Sequence, residues 1–183
     1  NILSGPEWLY SSILRNKQVI AVSGTHGKTS TTAMIAWIFE YLERNIGYLI
    51  AGKPNNFEVS SRLGSEEVFV IEADEYDTAF FDKRAKFIHY HPDVLVLNNI
   101  EFDHADIYSD LSQIQKQFHH LIRTLPEDAS IIFPETDKNI ETLFELGCWS
   151  NKIGFSNNKD SDNYYIALKE DFSSSQIVSG ETV

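Results

Sequence analysis

The sequence predicts an α/β fold, doubly wound around a mostly parallel sheet, with a small antiparallel β tail. Three observations lead there. Short apolar runs alternate with helical stretches along most of the chain. Two of those runs, 68–72 and 94–98, are continuously apolar, the pattern of strands covered on both faces. The polar segments able to carry chemistry fall where strands end, which is where ligands bind in this class of fold.

Taken in order, residues 1–17 read as a linker with one helical turn around 7–14, so the chain is expected to begin in mid-protein. A strand follows at 18–23. From 28 to 44, Met34, Ile35, Ile38, Phe39 and Leu42 recur at helical spacing, and Gly47 is placed to end that helix. A strand at 48–51 comes next, then the two apolar strands. Residues 110–125 carry Leu111, Ile114, Phe118, Leu121, Ile122 and Leu125 on one stripe, closed by Pro126. Further elements are a strand at 130–133, a helix at 137–146 before Gly147, and a strand at 152–155. After a polar stretch at 157–163 the tail reads as short strands, with a hairpin around Ser179-Gly180.

With 183 residues, the chain holds one substantial core rather than two large domains. Its 27 acidic residues outnumber 15 basic ones, giving a net charge of -12 that repels a phosphate backbone and excludes nucleic acid as a partner. Small anions remain possible, because a local cluster of N–H groups and one lysine overcomes a distant field. Cys148 is the only cysteine, so an intramolecular disulfide and a cysteine zinc site are excluded, and a cytoplasmic location is expected. No run reaches the roughly 18 apolar residues of a membrane-spanning helix, and no signal peptide is recognisable at the start.

Ser23-Gly24-Thr25-His26-Gly27-Lys28-Thr29-Ser30 stands where a strand hands over to a helix, the setting of a phosphate-binding loop (P-loop). Gly24 and Gly27 let backbone approach phosphate oxygens, with Thr25, His26 and Ser30 completing the cradle. Lys28 is suited to the β and γ phosphates and the Thr29 hydroxyl to Mg²⁺. Val22 stands where the common pattern has its first glycine, so the loop is a shorter G-T-x-G-K-T variant.

Two more loops follow apolar strands. Glu72-Ala73-Asp74-Glu75-Tyr76-Asp77 crowds four carboxylates, for which a divalent metal is the expected neutraliser, with Glu72 nearest the strand. Residues 98–106 bring His104 toward the same crevice, as a metal ligand, a phosphate contact or a structural hydrogen-bonder. His89 and His91 would share one side of a strand at period two, but no further ligands stand at zinc spacing, so a structural role is expected. No Gly-x-Ser-x-Gly nucleophile elbow is present.

Together the blocks AVSGTHGKTSTT (21–32), EADE (72–75) and NIEFDHAD (99–106) make the chain resemble the Mur ligases, ATP-dependent enzymes that assemble muramyl peptides. Five further blocks, KPNNFEVSSRLG (53–64), EYDTAFFDKRAKF (75–87), FDHADIY (102–108), IQKQFHHLIR (114–123) and GCWS (147–150), are similar to members that attach a whole tripeptide to UDP-N-acetylmuramate. The resemblance implies a central ATP-binding domain at 18–183, cut short at its C-terminus, with 1–17 leading in from a missing N-terminal domain. It implies ATP and Mg²⁺ as cofactors, and UDP-N-acetylmuramate and the L-alanyl-γ-D-glutamyl-meso-diaminopimelate (murein) tripeptide as substrates, joined by an amide bond through an acyl phosphate. It assigns Lys28 to the β and γ phosphates, Thr29 and Glu72 to the first metal, His104 to the second, and Asn56 to the neighbourhood of the phosphates and nucleotide sugar. His119 stands where some members have a carbamylated lysine, a group this chain cannot make. The rival within the family adds L-alanine alone; the rival outside it is a nucleotide-binding module without activity. Lys28→Ala is expected to abolish turnover of the full-length protein with little loss of folding.

Overall fold

The computed structural model describes residues 2–102, 108, 110–170 and 174–180. Among these the elements are α1 (Gly5–Ser12), β1 (Gln18–Ser23), α2 (Lys28–Tyr41), β2 (Gly47–Leu49), β3 (Ser61–Arg62), β4 (Val68–Glu72), β5 (Asp77–Ala79), β6 (Asp82–Ala85), β7 (Val94–Leu97), α3 (Leu111–Ile122), β8 (Ser130–Pro134), α4 (Lys138–Glu145), β9 (Asn151–Phe155), β10 (Asn163–Ala167) and β11 (Ser175–Ser179). Short 3-10 turns cover Leu14–Asn16 and Lys86–His89.

The main sheet has the order β3-β2-β4-β1-β7-β8-β9. Its pairings are parallel except at the edge, where β3 runs antiparallel to β2. The chain leaves β1 in one direction toward β2 and later resumes on its other side at β7. The carboxyl end of β1 is therefore the topological switch point, flanked by the ends of β4 and β7. Ala21 sits opposite Ile71 on one side and Leu95 on the other, so three buried apolar strands form the sheet centre.

One face of the sheet packs Ala21, Ile71, Leu95 and Ile131 against Phe118, Leu121 and Ile122 of α3 and Ile140 and Leu143 of α4. Asp110 caps α3 by accepting from Gln113 N–H (3.1 Å), and Asp137 caps α4 by accepting from Asn139 N–H (2.9 Å). The other face is covered by α2, whose Ala36 packs with Ile46, Tyr48, Ile50 and Val70.

Several expectations are corrected. Alternation of burial along β7, with Leu95 and Leu97 buried but Val94 and Val96 half-buried, overturns coverage on both faces, because α2 lies over β1 and β4 rather than β7. Within α2 the buried positions are Thr32 and Ala36, with Ala33, Ile35 and Phe39 packed beside them, while Met34, Ile38 and Leu42 are exposed. The helix stops at Tyr41, and Glu43 takes a left-handed turn (φ 58°). Gly47 therefore does not end it. Gly47 instead opens β2, where a Cβ would come 2.3 Å from the Phe69 ring. The tail hairpin pairs β10 with β11, Ala167 opposite Ser175 and Asn163 opposite Ser179, so Ser179-Gly180 stands at its open end and not at its turn.

Residues 1–17 do more than lead in. Ser4 and Glu7 form a capping box that starts α1 with Pro6 in its first turn, and Leu14, 1% exposed, belongs to the core. The helix is tied to the β5–β6 hairpin by charge. Asp82 accepts from Arg84 Nε (2.9 Å) and Nη2 (2.7 Å), His89 Nε2 lies 3.0 Å from Asp82, and Arg84 reaches Glu7 at 3.4 Å.

The Arg84 hydrogen bonds hold the Asp82 carboxyl well below the usual carboxylate range. A depressed folded-state value means that this stabilisation is complete above the unfolded carboxyl value near 4 and fades as pH falls below it. Urea unfolding of Arg84→Met should show a loss of about 1 kcal/mol at pH 7, shrinking steadily below about pH 4. A loss independent of pH would point to packing instead.

Candidate phosphate-binding site

At the end of β1, Ser23 Oγ donates to Ala73 O (2.9 Å), locking the ends of β1 and β4 side by side. Asn99, beyond β7, joins from the other side. Its carbonyl accepts from Thr25 N–H (3.0 Å) and its side-chain oxygen from His26 N–H (2.8 Å). The Asn98 amide donates to His26 O (3.2 Å) and Thr31 Oγ1 (3.0 Å), and Glu101 N–H donates to Thr25 Oγ1 (2.9 Å). These bonds bring the three sequence-predicted strand-end segments into one crevice.

Gly24 (φ 133°) and Gly27 (φ 79°) supply the backbone that the loop requires, and a Cβ on Gly24 would meet Asn99 O at 2.9 Å. Gly27 is the N-cap of α2 and gives it no side-chain cap. The first-turn N–H groups of Lys28, Thr29 and Ser30 have no intrahelical acceptors, so they and the helix dipole offer a seat for an anion. Thr25 and His26 direct their own N–H groups at Asn99 in this state.

Opposite this helix end, Thr29 Oγ1 donates to Glu72 Oε1 (2.9 Å), while Glu72 Oε2 accepts from Ala51 N–H (2.9 Å). The remaining carboxylates of the acidic loop have lysines rather than a shared metal as neutralisers. Glu75 pairs with Lys28 (2.9 Å), Asp74 with Lys86 (3.0 Å) and Asp77 with Lys83 (2.9 Å). Glu72 is the one carboxylate of the four that faces a hydroxyl in place of a lysine. The paired lysines come from the phosphate loop and from the β6 segment folding back, a proximity absent from linear order.

Asn56 is exposed and lines a cleft of about 320 Å³ shared with Thr29, Ser30, Met34, Trp37 and Phe57. Trp37 and Phe57 meet edge to face at 5.7 Å, so an aromatic wall stands beside the phosphate loop. Sequence reasoning missed that wall. Helical spacing alone does not show which side of α2 Met34 and Trp37 occupy, and only the fold of 53–57 against α2 brings Phe57 across. His104 lies outside the described residues, but both sides of its loop are anchored in the crevice. Glu101 is held at Thr25, and the Tyr108 hydroxyl donates to Glu75 O (2.9 Å). Burial pushes that hydroxyl up to about 12, so it remains a donor at neutral pH.

The other histidines divide. His89 ends a 3-10 turn and His91 follows with φ 45°, its ring tilted against Tyr10 at 4.5 Å, so the pair does not share a strand face. Glu7, Asp82 and His89 lie within metal-binding distance of one another, but Arg84 already supplies their positive charge. His119 Nε2 is buried and has no hydrogen-bond partner among the described residues.

Residues 22–182 match the model of the Mur ligase middle domain. The chain belongs to the Mur ligase family. A Mur ligase relative from Escherichia coli (strain K12), UDP-N-acetylmuramate--L-alanyl-gamma-D-glutamyl-meso-2,6-diaminoheptandioate ligase, is 57% identical over 150 residues, covering 82% of this chain and 33% of the relative. A UDP-N-acetylmuramate--L-alanine ligase from Rubrobacter xylanophilus is 35% identical over 73% of this chain and 28% of its own length. The crystal structure of the UDP-N-acetylmuramate:L-alanyl-gamma-D-glutamyl-meso-diaminopimelate ligase from Neisseria meningitides superposes with a TM-score of 0.87 at 44% identity, over 96% of this chain and 56% of that one. The chain thus spans about a third of the length of the curated relatives it matches.

The Gly24–Asn99 contact makes a direct prediction for this site. Gly24→Ala should destabilise the chain by roughly 1–3 kcal/mol through backbone strain and overlap with Asn99, measured by thermal or urea unfolding; wild-type stability would mean that the loop has room to move.

Proposed function

We propose that this chain is the nucleotide-binding middle part of an ATP- and Mg²⁺-dependent ligase that joins UDP-N-acetylmuramate to the L-alanyl-γ-D-glutamyl-meso-diaminopimelate tripeptide. The observation that carries the reading is the meeting of Lys28, Thr29 and Glu72 at an uncapped helix N-terminus. Greater identity to the tripeptide-adding relative than to the L-alanine-adding one supports the substrate. The cytoplasm is the proposed location. Residues 1–17 would lead in from a preceding domain and 18–183 form the nucleotide-binding unit, with the lead-in packed on it through Leu14.

The donor set fits Mg²⁺: a hydroxyl and a carboxylate oxygen 2.9 Å apart, both hard ligands, stand beside the anion seat. Thr29 and Glu72 would hold the first ion and His104 would serve a second. Bound magnesium would offset charge on the transferring phosphoryl and on the approaching carboxylate. Gly24, Thr25, His26, Gly27, Lys28, Thr29 and Ser30 would enclose the phosphates, with Thr25 and His26 shaping the loop through Asn99. In the reaction, the muramate carboxylate oxygen bonds to the γ phosphorus as the bond to ADP breaks. The tripeptide amine then attacks the acyl carbon, loses a proton and expels phosphate. The chain's part is positioning and neutralisation, Lys28 at the transferring group and Asn56 in the adjoining cleft, without a covalent protein nucleophile.

The structure changes what a Lys28 variant would report. Lys28→Ala would take from the buried Glu75 the ammonium it is paired with, so a folding loss of up to about 3–5 kcal/mol is expected instead of little loss. Glu72→Gln is a cleaner probe of the metal site. Calorimetric titration of the chain with Mg-ATP should give a saturable heat that weakens roughly tenfold in Glu72→Gln, while titration with ATP in EDTA should no longer distinguish the two proteins. Absence of saturable heat in wild type would overturn nucleotide binding. In the full-length protein, phosphate release should require UDP-N-acetylmuramate, ATP and the tripeptide; release with L-alanine in its place would favour the other family member.

A further inference from the structure

The Lys28 ammonium has three N–H donors, and the structure uses them inside the protein. Gly24 O accepts at 2.7 Å, the Glu75 oxygens at 2.9 and 3.2 Å, and Thr25 O at 3.4 Å. Lys28 is 12% exposed and Glu75 2% exposed. The ammonium thus lies folded back over its own loop, held by a carboxylate with almost no access to water. Glu75 has little freedom to withdraw, since its carbonyl is pinned by the buried Tyr108 hydroxyl and its neighbours Asp74 and Asp77 are paired to lysines across the hairpin.

We propose that Glu75 is a positioning residue acting as a latch: it occupies the Lys28 ammonium while the anion seat is empty, and an arriving phosphate binds by drawing Lys28 away from it. The identity of that phosphate as part of a nucleoside triphosphate rests on the function proposed above. Phosphate gains the ammonium only by competing with an internal anion, and that competition opposes binding. Glu75 therefore weakens the hold on nucleotide and keeps Lys28 inside the crevice in its absence.

Two measurements test this, one without nucleotide. Lysine acylation by a small succinimidyl ester, read by peptide mass spectrometry, should modify Lys28 slowly in wild type and several-fold faster in Glu75→Gln, with the other lysines unchanged. Equal Lys28 rates would overturn the latch whether or not the chain binds nucleotide. In calorimetry, Glu75→Gln should bind Mg-ATP roughly tenfold tighter than wild type, show no comparable gain for AMP, and lose most of the gain in a Lys28→Met background. Unchanged or weaker ATP affinity, or an equal gain without Lys28, would overturn it. A purely structural role for Glu75 would move the melting temperature and leave both the Lys28 rate and ATP affinity in place. A wild type that binds no ATP would sink the nucleotide reading while the acylation comparison still decides the latch.

Discussion

An α-helix that begins without a cap leaves N–H groups and a positive dipole end facing outward, and in this chain the surroundings of α2 are arranged about that end. It stands at the switch point of the sheet, where β1 gives way to its two parallel neighbours. Ser23, Asn98 and Asn99 hold the flanking strand ends against the loop, so the anion seat is fixed by the sheet rather than by loop sequence alone. Two left-handed glycines allow the chain to make this turn so close to Asn99.

Charge balance follows from the same geometry. An acidic chain can maintain a seat for phosphate because its acidic loop is neutralised locally by Lys28, Lys83 and Lys86. Glu72 is the exception. Turned toward Thr29 instead of a lysine, it places a carboxylate beside a hydroxyl, both hard oxygen ligands of the kind a divalent ion takes. Glu75, one turn of the loop away, serves the lysine instead. Two glutamates three positions apart thus face neighbouring side chains of the phosphate loop, Glu72 the Thr29 hydroxyl and Glu75 the Lys28 ammonium.

The alternating strands and helices, the loop at 23–30 and the clustering of three polar segments were legible because each depends on local pattern: period, glycine placement and strand-end position. Asp110 and Asp137 were legible as helix starts for the same reason, and the Ser4–Glu7 capping box could have been found from its spacing. Contacts set by the third dimension were not. The pairing of Asp74 with Lys86 and of Glu75 with Lys28 depends on how the chain folds back after β4, and the choice of Ala36 over Met34 for burial depends on where α2 crosses the sheet. Gly47 shows the limit well: its position suggested a helix end, while its actual constraint is the Phe69 ring on a strand 22 residues away in sequence.

The central claim is that phosphate is received by the first turn of α2. Amide NMR of the isotopically labelled chain during addition of Mg-ATP tests it most directly, because each N–H reports its own environment. The account predicts saturable shifts concentrated at Gly27, Lys28, Thr29 and Ser30, with smaller ones at Glu72 and Glu75. Saturable shifts confined to another part of the sheet, with those four amides unmoved, would contradict it.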